Sequence, residues 1–295
     1  MNAPALKIII LTFAVSLAIA LDGYAQQKSV TGAPQADSAQ AVDVLVIAPH
    51  PDDEVIGCAG VMLRALEQKK RVAVVLLTSG DAHVPLTAVV AKKPRERLAP
   101  DDFKQAGALR QQHSLNAAAR LGLAADDLTF LGYPDSGLGK IYHATDGTPF
   151  RQMFTHQSET YGITVRDYHS RTHGGAAPYV KSSLHADLVE ILRARQPKEV
   201  YVTHETDTHG DHSAAFWFVR DALRESGFQG GFFTFLVHGK PPPEPPARIE
   251  RLTPAQLATK HAALVDHQAG TSPVHDNLAS EYAQPEERFW RAQLR

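Results

Sequence analysis

The chain contains a single cysteine, Cys58, in 295 residues. One thiol excludes an intramolecular disulfide framework and any zinc module built from several cysteines. An excess of basic charge is also missing. Thirty Lys and Arg stand against 32 Asp and Glu, for a formal net charge of −2. Nucleic-acid binders carry a basic surplus, so no nucleic-acid partner is expected. There is no internal repeat. What is abundant is histidine, 15 residues in all. The number alone leaves two readings open: a metal site of imidazoles and carboxylates, or imidazoles scattered over core and surface. With 43% hydrophobic and 21% charged residues, a packed core is within reach and wholesale disorder is excluded. The length suits one large domain, or a domain with a modest appendage.

The first 25 residues form a distinct block. Lys7 precedes an apolar stretch over 8–21, and Gly23-Tyr24-Ala25 ends in small residues. This pattern predicts a secretory signal peptide over 1–25, cleaved near Ala25, with an uncleaved anchor as the alternative. The stretch falls short of the ~20 apolar residues of a spanning helix, so no stable membrane span is expected in the mature protein. The mature chain is then expected to be exported, periplasmic or secreted. Residues 26–40 are rich in Ser, Gln, Ala and Gly and read as a flexible leader. An exported chain lacking a disulfide depends on its core or on a metal.

From residue 41 onward, apolar runs alternate with helical periodicity. Strands are predicted at 42–47, 71–78, 128–131, 199–203 and 232–237. Helices are predicted at 55–68, 101–121, 179–195 and 213–225. Such alternation predicts an α/β fold of three layers, Rossmann-like, with a mostly parallel sheet. The domain is expected to span 41–240. The segment 135–178 carries little periodicity and reads as a functional loop or lid. The Pro-rich run 241–246 reads as a semi-rigid spacer. Beyond it, Thr253-Pro254 predicts a cap and a last helix over 255–267, so that 241–295 packs on the same domain as a helical segment.

Two polar clusters follow strands. The first strand ends in Ala48-Pro49-His50-Pro51-Asp52-Asp53-Glu54, the arrangement expected of a site at the carboxyl edge of a sheet. His50 and Asp53 lie three residues apart on a tight turn, which lets an imidazole and a carboxylate converge on one cation. Asp52 and Asp53 point different ways, so one can bind metal while the other faces substrate. A solvated acidic helix start is the alternative for this motif alone. The second cluster runs from His204 through Asp207, His209 and Asp211 to His212, again between a strand and a helix. Together the two can complete a His-Asp-His set. Three protein ligands plus water is the pattern of a catalytic zinc site. Asp207, Asp211 and His204 are candidates for orienting those ligands from behind; Asp211 has the alternative of capping the following helix.

The first motif, with His209-Gly210-Asp211-His212 downstream, resembles the PIG-L/LmbE family of zinc-dependent N-deacetylases over about residues 42–240. The resemblance implies His50, Asp53 and His212 as zinc ligands. It implies Asp52 as general base and His209 as the imidazole at the oxyanion or leaving amine. It further implies Asp81, in Thr78-Ser79-Gly80-Asp81, together with Arg110 and Asp135 as substrate contacts. There are departures. Pro49 stands where the family usually has Ala before the His; His113 replaces a common Glu three residues after the Arg; Gly210 replaces a common Pro. The metal is expected to be Zn2+, although imidazole and carboxylate accept other divalent ions.

The activity so implied is hydrolysis of N-acetyl groups on an N-acetylglucosamine-type amino sugar, in a glycan or glycoconjugate. Hydrolysis of another amide or a phosphoester, and a non-catalytic carbohydrate-binding role, are the alternatives. Of the other histidines, His169 and His173 are read as cleft lining or solvated loop. His83, His113, His238, His261, His267 and His275 are read as structural or surface. Tyr142, Phe150, Tyr161 and Tyr168 are assigned either to a sugar platform or to packing.

Overall fold

A computed structural model describes residues 40–145 and 147–294. The expected signal peptide (1–25) and the leader up to residue 39 lie outside the described residues. Among the described residues no helix is long and apolar enough to cross a membrane.

Among the described residues the sheet has seven strands: β1 (Val44–Ala48), β2 (Val72–Thr78), β3 (Leu128–Tyr133), β4 (Glu199–Thr203), β5 (Gly231–Phe235), β6 (Arg248–Arg251) and β7 (Glu286–Arg291). They lie in the order β3-β2-β1-β4-β5-β7-β6. β1 to β5 are parallel, and β6 and β7 join antiparallel at one edge. The helices are α1 (Asp53–Glu67), α2 (Val84–Ala91), α3 (Pro100–Leu121), α4 (Leu138–His143), α5 (Tyr168–His173), α6 (Lys181–Arg195), α7 (Gly210–Ser226), α8 (Pro254–Gln268) and α9 (Leu278–Tyr282).

The apolar strand runs explain the layering. β1 is buried along its whole length. Its alternate side chains enter two cores: Leu45 and Ile47 pack with α6 and α7, whereas Val44, Val46 and Ala48 pack with α1, α3 and α8. Period-two alternation on a strand covered from both faces requires apolar residues in both registers, and this produces the unbroken run. The ends of α3 follow its sequence. Pro100 occupies the first turn, where its missing N–H costs nothing, and Gly122 takes the left-handed position after Leu121, at φ 96°.

The three-layer, mostly parallel α/β architecture predicted from the alternation is the observed one. Several elements carry no clear pattern. The irregular segment contains the short helices α4 and α5. The segment beyond the Pro-rich run adds two strands, β6 and β7, besides its helix. Those strands are short and mostly charged, with Arg248, Glu250 and Arg251 in β6 and Glu286, Glu287, Arg288 and Arg291 in β7, and β6 forms the sheet edge. The buried Lys260 of α8 donates to the Ile56 carbonyl and to Glu287 of β7, both at 2.8 Å. Glu287 also accepts from Gly60 N–H at 2.9 Å. The C-terminal segment is thereby tied to the helix that begins at the first motif.

β2 and β3 lie on one side of β1, and β4 and β5 on the other. The chain reverses its winding between β1 and β4, and the carboxyl ends of these two strands flank a crevice. Ligands of open α/β sheets bind at such a switch point.

Candidate active site

β1 delivers His50 to this crevice, and β4 with the start of α7 delivers His212, 162 residues later. Three donor atoms converge there. His50 Nδ1 lies 3.1 Å from Asp53 Oδ2 and 3.1 Å from His212 Nε2, and the remaining edge, His212 Nε2 to Asp53 Oδ2, is 3.2 Å. Tetrahedral zinc with nitrogen and oxygen donors at about 2.0 Å holds its donor atoms about 3.3 Å apart. The three side chains therefore fit such an ion with adjustments of a few tenths of an ångström. All three are buried.

The outer ring atoms have partners too. His50 Nε2 faces Asp211 Oδ2 at 3.3 Å and Asp135 Oδ1 at 3.4 Å. His212 Nδ1 faces Asp207 Oδ2 at 3.2 Å. A carboxylate behind each imidazole fixes which nitrogen points inward. Asp207 also accepts from the backbone N–H groups of His209, Val237 and His238. Asp211 accepts from Ser136 and Leu138 N–H and so holds the turn before α4. The Thr203 hydroxyl donates to the His212 carbonyl at 2.8 Å, which fixes α7 against the end of β4.

The electrostatics follow from this packing. Burial disfavours the charged form of each group, but the opposite charges outweigh it. His212 is raised to about 9 by Asp53 and Asp207, His50 is raised by Asp135, Asp211 and Asp53, and Asp53 is held well below the ordinary carboxylate range by His212 and His50. Protons are thus held among groups that a divalent cation would bind in deprotonated form, so metal affinity should rise with pH.

Asp52 points elsewhere. Its Oδ2 lies 3.1 Å from Arg110 Nη2. Burial raises its carboxyl to about 6, against the lowering effect of Arg110. Its backbone sits at φ 126°, a conformation that costs a non-glycine residue about 1–3 kcal/mol and that persists only where its surroundings impose it. Glu54 is one restraint: its carboxylate accepts from the Asp52 N–H at 2.9 Å and from the Ser114 hydroxyl at 3.0 Å. Arg110 is another, donating to the carbonyls of Pro51 and Gly80. Gly80 adopts φ 62°, and a Cβ there would meet Arg110 Nη1 at 2.0 Å.

These groups open onto a cavity of about 320 Å³ lined by His50, Asp52, Asp53, Arg110, Asp135, His209 and His212, among others. His209 caps α7. Its Nδ1 accepts from Asp211 N–H at 3.3 Å, which places the ring proton on Nε2. Burial, with His50 and His212 nearby, lowers it to about 4, so the ring is neutral. Two predicted residues lie apart from the cavity. Asp81 is buried behind its wall and hydrogen-bonded to the Tyr161 hydroxyl. His204 bonds Thr206 and packs on Trp290. Tyr142, Phe150 and Tyr168 also lie outside the lining, in or against the core.

Three histidines read from the sequence as structural or surface line the cavity instead: His83, His238 and His275. His238 follows β5, so the signal used for His50, a histidine just past a strand end, applied to it as well. His83 and His275 are neighbours in an edge-on contact with ring centroids 5.6 Å apart. Nothing in the local sequence of His275 announces this, because the approach of residues 275–282 is tertiary. Glu54 stands in the first motif, and its grip on Asp52 is visible only in the fold.

A doubly wound sheet with an imidazole–carboxylate cluster at its switch point defines a class: α/β proteins able to hold a divalent metal at the carboxyl edge. Residues 45–223 match the PIG-L family, described as GlcNAc-PI de-N-acetylase, and the chain belongs to that family. No curated protein sequence matches the chain significantly. Among solved structures, the N,N'-diacetylchitobiose deacetylase of Pyrococcus horikoshii is similar, with a TM-score of 0.57 at 18% identity over 98% of this chain and 96% of the other. A deacetylase of teicoplanin biosynthesis gives 0.53 at 14% identity, over 85% and 99% of the two chains. The 4-carboxy-2-hydroxymuconate hydratase of Pseudomonas putida KT2440 gives 0.53 at 16%, over 86% and 97%. At these identities the likeness is one of fold. The hydratase among them means that the fold alone does not select the reaction.

Proposed function

We propose that the protein is an exported, zinc-dependent N-deacetylase that removes acetyl groups from N-acetylglucosamine-type sugars in a glycan or glycoconjugate. One observation carries the reading: three inward-facing ligand atoms form a triangle of 3.1–3.2 Å edges beside a second, separately held carboxylate, Asp52. His50, Asp53 and His212 would hold the ion. When bound, zinc supplies Lewis acidity that acidifies water and polarises a carbonyl.

The chain's own groups do the rest. Asp52, aimed away from the ligand triangle, takes the proton of the attacking water. His209 offers a neutral Nε2–H to the oxygen of the tetrahedral species, a donor role often worth several kcal/mol of barrier. The protonated Asp52 then returns its proton to the departing amine, releasing acetate and the free amino sugar. Arg110 keeps Asp52 ionised and the loops around it in place. The deacetylase neighbours, one named for diacetylchitobiose, favour an acetylated sugar as substrate. A hydratase or phosphoesterase would leave acetyl groups untouched.

The test is acetate release from N-acetylglucosamine oligomers, with and without a chelator. Zinc-restorable release supports the proposal. Binding of the oligomers without release, at saturating zinc, would refute it in favour of a binding role.

A further inference from the structure

Outside the active site, two helices bring four metal-binding side chains together. On α5, His169 and His173 are four residues apart and share a face; their ring centroids stand 4.4 Å apart. On α6, Asp187 and Glu190 occupy one face at a spacing of three. His169 Nδ1 lies 2.8 Å from Asp187 Oδ1, and His173 Nε2 lies 2.9 Å from Glu190 Oε2. Donor atoms of His169, His173 and Asp187 all lie within 4.8 Å of one another. None of the four residues lines the active-site cavity.

The geometry points to a second zinc site, formed by His169, His173 and Asp187 with Glu190 at its rim, which staples the irregular segment to the α/β scaffold. The carboxylate is prepared for that role. Asp187 is buried, and its other oxygen accepts from the Tyr133 hydroxyl at 2.7 Å, a restraint of the kind that orients ligands from behind. The histidines are accessible, so an ion can enter from solvent: the His173 side chain is 42% exposed and that of His169 27%. Helix α5 is short but anchored. Asp167 caps it through Ser170 N–H and also accepts from the Thr160 hydroxyl. A dication placed among the four side chains would meet both carboxylates with opposite charge. Imidazole plus carboxylate is a zinc donor set, and the chain has no disulfide to do this work.

The experiment counts zinc per chain by mass spectrometry after the full-length protein has been stripped and dialysed against a zinc buffer. Wild type should hold two equivalents. The variant His173→Gln, changed at an exposed position that leaves Asp187 covered by His169, should hold one, and so should His169→Asn/His173→Gln. The active-site variant His212→Ala should keep this equivalent while losing the other. If His169→Asn/His173→Gln binds as much zinc as wild type, the site does not exist. If wild type binds one equivalent that only the His169→Asn/His173→Gln change removes, this site stands and the zinc-dependent reading of the active site falls.

Discussion

Replacing Arg110 by Gln removes the positive charge 3.1 Å from the Asp52 carboxylate. Burial raises Asp52, Arg110 lowers it, and the balance is about 6. Loss of an opposite charge at this range raises a carboxylate by about 1–3 units. A general base works ionised, so activity falls as pH drops through its pKa. In wild type the acid limb of kcat/KM should lie near Asp52's value, with roughly nine-tenths of the base ionised at pH 7. Raised to about 8, only a tenth would be ionised there. Arg110→Gln should therefore lose about tenfold at pH 7 and recover most of it by pH 9. Arg110→Lys, which keeps the charge, should move the limb far less. The assay is acetate release from an N-acetylglucosamine oligomer across pH. Because the displacement is the observable, a loss that is constant with pH would refute the assignment of Asp52 as base. Gly80→Ala tests the same coupling from outside, since its new Cβ collides with Arg110. It should displace the limb in the same direction.

Other outcomes follow from the same geometry. Asp52→Asn should retain zinc, because Asp52 is not in the ligand triangle, and lose about a hundred- to ten-thousandfold in kcat; elemental analysis beside kinetics separates the two effects. His50→Ala and His212→Ala should lose both the active-site zinc and activity, with the loss shown by zinc titration. Lys260→Ala strands the Glu287 carboxylate in the core, where the pair is 1–2% exposed. That should cost about 3–5 kcal/mol and lower the thermal midpoint by roughly 10 °C, read by calorimetry. His275→Ala should raise KM more than it lowers kcat, since His275 lines the cavity yet stands outside the ligand triangle; initial rates over a substrate range will tell.

Legibility varied with the distance over which each feature is decided. The parallel core was readable because buried central strands must be apolar on both faces, as β1 and β2 are. The last two strands, edge strand β6 and its neighbour β7, were not, because they carry charges such as Arg248 and Glu286 and lose the apolar signature. Residues 135–178 looked structureless because α4 and α5 span only six residues each, too short to show a period. Among the site residues, His50, Asp52 and Asp53 were legible as a motif at a strand end. His275 was not, since it owes its place to residues 275–282 reaching the crevice from the far end of the chain, whereas His83 lies five residues past the end of β2 and carried the weaker signal of a post-strand loop.

The sequence by itself determined what is local. It dictated the alternation of strands and helices, the caps of α3, and a His-x-x-Asp turn in which His50 and Asp53 are bound to meet because three residues of chain hold them together. Only the tertiary structure decided what meets across the sheet. β1 and β4 became hydrogen-bonded neighbours, and that pairing alone brings His212 to within 3.1 Å of His50. The same packing turned Asp52 toward Arg110, set Asp207 behind His212 and Asp211 behind His50, and left Asp81 and His204 away from the cavity. A strand end states which side chains are available. The register of its neighbours decides which of them can reach the same point in space.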